Sequence, residues 1–402
     1  MKTGENFNFK NRRDGMKIVL EKNLIKNVLF YFAYSIYLGY NLLEVSFYLK
    51  DIQEYKWTLM ILVIVLLVFK EVMDFKFNFR DLIFILLLFP ISVLSYKYLG
   101  YIQALLPCFI YSARNVNIRT ILKLSYRISL VLLLFIIMSS YLGWITYYIT
   151  YSGGRVRDYL GFRYSLFAPS IFCNIIFLKI YLEKDNIKWR TLIFLSTGNY
   201  LLYLYTNSRL TFGLGMIILI LTVIIKIFPR FKHLIMNKLI VGVYIISGGI
   251  SLYFTIGYNY LVEWQSNIND FLGGRLALGY STLNYYGYGI LGRKITLVGN
   301  GLDADGYGDI GIYDYVDNLY VQMLLKLGII FLFVFIIGMT ITMIRIYRFG
   351  DVYLYIIFSL LALHGIIDDL ILLPQYNSFW FVIAALFYRN ITNIRKNEKE
   401  LS

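Results

Sequence analysis

Only two cysteines occur in the 402 residues, Cys108 and Cys173, and both fall inside apolar stretches with no metal-ligand spacing. A disulfide framework and a zinc site are therefore not indicated, and both thiols are expected to act as small buried hydrophobes. Histidine is as scarce, with His233 and His364 alone. Charge is thin too: charged residues make up 16% of the chain against 59% hydrophobic, with a mean hydropathy of +0.63. A soluble domain of this size could not hide that much apolar surface. The net charge of +15 does not point to nucleic acid, because the basic residues sit in short segments between apolar runs, as orientation signals do. No cleavable signal peptide is expected, since the first apolar run begins near Val28 behind a long basic leader and many more runs follow. No internal repeat is visible.

What is present is a series of apolar runs, each near the roughly 20 residues needed to cross a bilayer core. They predict an all-α polytopic integral membrane protein with about twelve transmembrane helices, near 28–49, 56–72, 81–98, 100–113, 127–148, 165–182, 190–206, 210–228, 239–257, 318–344, 352–373 and 376–389. Residues 1–27 form a basic leader, 28–389 one membrane domain and 390–402 a tail. Most of the 39 basic residues fall in 2–26, 70–80, 114–127, 179–190, 226–238, 345–348 and 389–399. By the positive-inside rule these segments and both termini face the cytoplasm. One large extracytoplasmic loop, 258–317, then separates the ninth and tenth spans.

Eleven basic residues resist that rule: Lys50, Lys56, Lys97, Arg155, Arg157, Arg163, Arg209, Arg275, Arg293, Lys294 and Lys326. Arginine where topology disfavours it suggests anion binding, since its planar fork matches phosphate oxygens, although a single arginine also serves as a headgroup anchor. The segment from Ser152 to Ser165 carries Arg155, Arg157 and Arg163 among aromatic residues able to stack on sugar rings, with Gly153, Gly154 and Gly161 permitting close backbone approach. Asp158 within it is read as a partner for Arg157 or Arg163 in preference to a general base. Arg209 stands in a tight turn after Asn207-Ser208, with little loop on which to reach water.

The loop 258–317 is the longest polar, glycine-rich segment of the chain, and a loop of that length is more often functional than a connector. Its acids Asp303, Asp305 and Asp309 alternate with glycine, but no terminal bidentate glutamate follows, so a solvated turn is expected there rather than a calcium loop. Glu44 either faces the bundle or marks the end of the first helix.

The run Asn269-Asp-Phe-Leu-Gly-Gly-Arg275-Leu-Ala-Leu-Gly-Tyr280, followed by Tyr286-Gly-Tyr-Gly-Ile-Leu-Gly292-Arg293, resembles the large outer loop of Wzy-type capsular and exopolysaccharide polymerases of Gram-positive bacteria. Tyr315-Val-Asp317-Asn318-Leu-Tyr320 is similar to that family's aspartate, asparagine and tyrosine cluster at the start of the next span. The Ser208-Arg209 turn, the segment from Arg155 to Phe162, and His364-Gly-Ile-Ile-Asp368-Asp369 match more loosely. The region 269–330 is the specific part.

The resemblance implies glycosyl transfer outside the membrane, for capsule, O-antigen or exopolysaccharide synthesis. A hydroxyl of one polyprenyl diphosphate-linked oligosaccharide attacks the anomeric carbon of another, and polyprenyl diphosphate leaves. Arginines fixed in a water-poor site would stabilise the departing charge, so no metal and no cofactor is expected. On this reading Arg275 and Arg209 contact the diphosphate, Arg155, Arg157, Arg163 and Arg293 contribute to it or to the sugar, and Asn318 and Tyr320 line the site. His364 and Asp317 are the candidate bases, with Asp368 next; His364 is equally read as a satisfied buried histidine. His233 has no catalytic role. Membrane lipid surrounds the protein, and a flippase and a chain-length regulator are possible partners. A ligase of finished lipid-linked polymer would use nearly the same chemistry, and a lipid-linked oligosaccharide flippase would also be polytopic; a transporter more often carries repeated halves and charges deep along a central path.

Overall fold

A computed structural model describes residues 3–73, 79–152, 154–308, 311 and 313–388, leaving out the side chains of 3–23, 80, 101, 152, 387 and 388. Lys2, Lys76, Gly153, Asp309, Arg389 and the tail 390–402 lie outside the described residues, as do the side chains of the leader's basic residues up to Lys22.

The chain is mostly helical. In order it forms α1 (Thr3–Glu44), α2 (Leu49–Ile52), α3 (Lys56–Met73), α4 (Phe79–Tyr98), α5 (Tyr101–Ser112) and α6 (Ile118–Tyr141). A hairpin of β1 (Ile149–Ser152) and β2 (Arg155–Asp158) follows, antiparallel, with Ile149 opposite Asp158 and Ser152 opposite Arg155. Then come α7 (Phe167–Glu183), α8 (Trp189–Thr206), α9 (Arg209–Ile227), α10 (Phe231–Ile235), α11 (Val243–Ile256), α12 (Glu263–Phe271), α13 (Arg275–Tyr286), α14 (Leu319–Phe349), α15 (Val352–His364) and α16 (Trp380–Tyr388).

Among the described residues, five helical segments are long and apolar enough to cross a membrane: Asp81–Tyr98, Ile118–Tyr141, Arg209–Ile227, Lys238–Ile256 and Leu319–Phe349. Large apolar side chains such as Leu86, Phe89, Ile193 and Phe194 are more than half exposed, as on a surface made for lipid rather than water. The interior is aromatic. Tyr37 stacks on Phe109, Phe30 and Tyr34 meet the same ring edge-on, and Tyr34 packs against Phe381 while its hydroxyl shares a hydrogen bond with Ser125 Oγ at 2.8 Å. These contacts tie α1 to α5, α6 and α16.

Three expectations need correction. The chain is not wholly α, because Ile149-Thr-Tyr supplies β-forming residues and Gly154, at φ +71°, turns the strand back on itself. The fifth helix starts at Ile118 rather than near 127, since the Asn117 side chain caps it by accepting from Thr120 N, and Arg119, Lys123 and Arg127 belong to its first turns. The eleventh stops at His364 instead of reaching 373. From Gly365 to Phe379 the backbone is irregular apart from one 3-10 turn at Leu370–Leu372, and Leu319 N donates to Gly365 O at 2.9 Å.

α14 is broken at Gly328, whose φ of 87° and ψ of 176° interrupt the helical path. The freed backbone groups are not orphaned. The glycine-rich segment after α13 lies in the break: Ile329 N donates to Gly289 O at 3.0 Å, Ile330 N to Ile290 O, and Arg293 N to Lys326 O at 3.1 Å. Interrupted helices are tolerated at membrane depth where protein supplies such partners. The approach requires glycine on both sides. A Cβ at Gly292 would stand 2.1 Å from Lys326 O, and one at Gly328 2.6 Å from Leu291 C.

The basic residues divide between the two ends of the helix bundle. One end holds Lys70 and Arg114 paired with Glu71, Lys184 with Asp351, and Lys232 with Asp185. The other holds the described residues of 258–318, the turn between α4 and α5, the strands β1 and β2, and the irregular stretch after α15. Arg163 knits that end together, donating from Nε to Glu44 O at 3.1 Å and from Nη1 to Leu302 O at 2.7 Å. Glu44 is thus the last residue of α1, with its carbonyl engaged.

Candidate active site

Asn318 is the N-cap of α14. Its Oδ1 accepts from Tyr320 N and Val321 N, and its Nδ2 donates to Ile366 O at 2.8 Å. This one side chain fastens the start of α14 to the irregular stretch after α15, so that Tyr313, Tyr315 and Asp317 arrive beside Asp368 and Asp369. Tyr315 OH donates to Asp369 Oδ2 at 2.7 Å, and Asp368 Oδ1 accepts from Leu370 N. Arg275, the first residue of α13 behind Gly274 in a left-handed conformation, puts Nε 3.2 Å from Asp317 Oδ2 and donates from Nη1 to Leu272 O.

Among the described residues, three cavities meet at this cluster. An apolar one of about 210 Å³, walled by Ile250, Phe254, Ile268 and Leu276, ends on Arg275, Asp317 and Asn318. A second, of about 310 Å³, is lined by Asp317, Asp368 and Asp369 with Tyr164, Tyr313 and Tyr376. A third, of about 500 Å³, shares Tyr315, Asp369, Leu370 and Leu373 with the second and adds Lys97, Lys294 and Lys326.

Burial and the neighbouring Asp368 charge push the Asp317 carboxyl up to about 6, against the opposing pull of Arg275. Burial, with the Asp317 charge next, also raises the Tyr313 phenol, and burial with the Asp369 charge raises that of Tyr315. Asp317 thus combines a carboxyl raised toward neutrality with a position facing two cavities at once. His364 is buried behind Asp368, with Nε2 3.5 Å from Asp368 Oδ2 and lining none of these cavities. Asp317 and Asp368, not His364, reach the open space.

Of the other predicted residues, Tyr320 is fully buried and its hydroxyl donates to Ala362 O, a packing role. The Arg163 guanidinium is engaged with the two carbonyls named above. Arg293 is exposed and donates to Gly287 O, while Arg155, Arg157 and Arg209 stand outside all three cavities, Arg209 exposed. Among the described residues Asp158 pairs with no arginine, contrary to expectation. It accepts from Tyr147 OH at 2.7 Å and from Leu160 N at 2.8 Å, because the hairpin register turns it inward beneath the strand pair. Asp303 Oδ1 accepts from the main-chain nitrogens of Asp305 and Tyr307, a tight exposed turn, and no group of three or more His, Cys, Asp or Glu side chains among the described residues is placed to hold a metal ion.

Sequence alone assigns no role at the site to Tyr313, Tyr315, Asp369 or the three lysines. The signal for the lysines was present: all three are among the cations that resist the positive-inside rule. No family model, curated protein or solved structure matches the chain.

Proposed function

We propose that this protein is a repeat-unit polymerase of the Wzy type, spanning the cytoplasmic membrane about twelve times and joining polyprenyl diphosphate-linked oligosaccharides on its outer face. The observation that carries the proposal is the Arg275–Asp317 pair, set where an apolar cavity opens onto a cluster of carboxylates. An apolar groove ending in a guanidinium suits a prenyl chain followed by a phosphate. The adjoining acids and phenols suit a sugar, whose hydroxyls need acceptors and whose faces need aromatic rings.

In the step itself, the acceptor hydroxyl oxygen forms a bond to the anomeric carbon of the donor sugar, and the bond from that carbon to the phosphate oxygen breaks. The hydroxyl proton passes to the Asp317 carboxylate, and the electron pair of the broken bond leaves with polyprenyl diphosphate. A base with its pKa lifted toward neutral accepts that proton without being too weak to bind it. Arg275 faces the growing negative charge in a site partly closed to water, where a fixed cation acts most strongly. Burial, and after it the charge of Asp368 beside His364, keep the carboxyl of Asp317 high.

Deletion of the gene distinguishes this reading from its neighbours. A polymerase mutant exports single repeat units and no long chains; a flippase mutant strands the units inside, and a ligase mutant makes long chains that stay unattached. Either of the last two phenotypes would refute the proposal.

A further inference from the structure

The largest cavity beside the carboxylate cluster is walled by cations drawn from three separate segments. Lys97 comes from the last turn of α4, Lys294 from the segment that fills the α14 break, and Lys326 from the buried half of α14 itself. Asp369 is the one carboxylate in the wall. None of the three lysines forms an ion pair or a side-chain hydrogen bond among the described residues. Lys97 Nζ lies over the Tyr98 ring at 5.2 Å and Lys326 Nζ over that of Tyr315 at 5.6 Å.

Lys326 is half-buried, and such an ammonium without an ion-pair partner is costly unless something anionic joins it; Lys97 and Lys294, which are exposed, add their charge to the same cavity. The wall adds a second source of positive potential. α5 begins there, with Gly100 as an N-cap that offers no side chain to its first N–H groups, and both Gly100 and Gln103 face the cavity. Three ammonium groups and a helix start around about 500 Å³ make a site for a group bearing two or more negative charges.

We infer that this lysine cavity binds the diphosphate of a second lipid-linked substrate, while the Arg275 cavity binds that of the first. The inference rests on the function proposed above and specifies it, because joining two carrier-linked units requires two anion sites with the reacting sugars between them. The shared wall of Tyr315, Asp369, Leu370 and Leu373 puts the carboxylate cluster in that position. An enzyme with one lipid-linked substrate has no use for the second site.

The test is binding of geranylgeranyl diphosphate, and separately of inorganic pyrophosphate, to the full-length protein in detergent by native mass spectrometry. The wild type is expected to take two lipid diphosphates, and Lys97→Gln with Lys294→Gln to weaken one of them by roughly tenfold per lysine, the size of one charge-assisted contact. Both lysines are exposed, so these changes leave the core intact. Arg275→Gln is expected to weaken the other. Inorganic pyrophosphate should bind at least tenfold more weakly than the lipid form.

A stoichiometry of one, or two sites that ignore the lysine changes, overturns the inference. So does pyrophosphate binding as tightly as the lipid, which would make the cavity a site for a free anion. Failure here is separable from failure of the polymerase reading: chain growth that persists with a single lipid site sinks only this inference, and lysine-dependent binding in a protein that never lengthens a chain sinks only the other.

Discussion

Arg275 Nε stands 3.2 Å from Asp317 Oδ2, at the boundary between an apolar cavity and an acidic one. The pair joins the first residue of α13 to the residue just before the Asn318 cap of α14, so charge, helix start and cavity wall are set by one contact. Replacing Arg275 by alanine is expected to lower the rate of chain lengthening by about 10²-fold or more, on the scale of losing a group that faces transition-state charge. Lysine is expected to rescue poorly, since an ammonium lacks the planar fork that reaches Asp317, Leu272 O and a phosphate together. Polymer length measured on gels checks this; normal lengths in the lysine variant would contradict it.

The pH profile follows from the same carboxyl. Asp317 must be ionised to take a proton, so activity should rise through an acid limb near pH 6. Asp368→Asn removes a charge that lifts Asp317 and should move the limb to lower pH in the residual activity; a limb that stays in place excludes Asp317 as the titrating group. Because the folded protein holds this proton more tightly than the unfolded chain does, the same carboxyl reduces stability as pH rises from about 4 to about 6.

The break in α14 should be intolerant of side chains. Gly292→Ala drives a Cβ against the carbonyl of Lys326, and Gly328→Ala combines a backbone clash with φ of 87°. Each is expected to cost about 1–3 kcal/mol or more, seen as a lower melting temperature in detergent. Gly338→Ala is the control, being helical with nothing within 4 Å. A melting temperature unchanged in all three would show that the loop does not seat in the break.

Arg163 is expected to matter for architecture more than for chemistry. Arg163→Gln loses the bridge from Glu44 O to Leu302 O and should raise hydrogen exchange in residues 299–308, with destabilisation of about 1–3 kcal/mol for two charge-assisted bonds. Exchange that does not change there would contradict the bridge.

Local signals in the chain were enough to find most helices and not enough to assemble the site. The apolar run predicted at 190–206 appears as Trp189–Thr206, and that at 210–228 as Arg209–Ile227, because Asn207 and Ser208 break the chain in a way composition makes plain. The start of α6 was misplaced because Arg119, Lys123 and Arg127 read as a loop when they form a charged stripe on a helix. The end of α15 is overrun because Leu370-Ile-Leu-Leu is as apolar as the helix before it, while the contacts of Leu319 N with Gly365 O and of Asn318 with Ile366 O at the stop are tertiary. Arg275, Asp317 and Asp368 were singled out from sequence. The lysine cavity could not be, because residues 97, 294 and 326 meet only through the α4–α5 turn and the broken helix, and nothing in their spacing records that meeting.

The most direct measurement is chain lengthening by the purified protein in vesicles, supplied with a polyprenyl diphosphate-linked repeat unit on the face that bears residues 258–317. The expected result is a ladder of products with one polyprenyl diphosphate released per bond formed, and no ladder from Asp317→Asn. Movement of the unit across the bilayer without lengthening, or a ladder made as well by Asp317→Asn as by the wild type, would contradict the account.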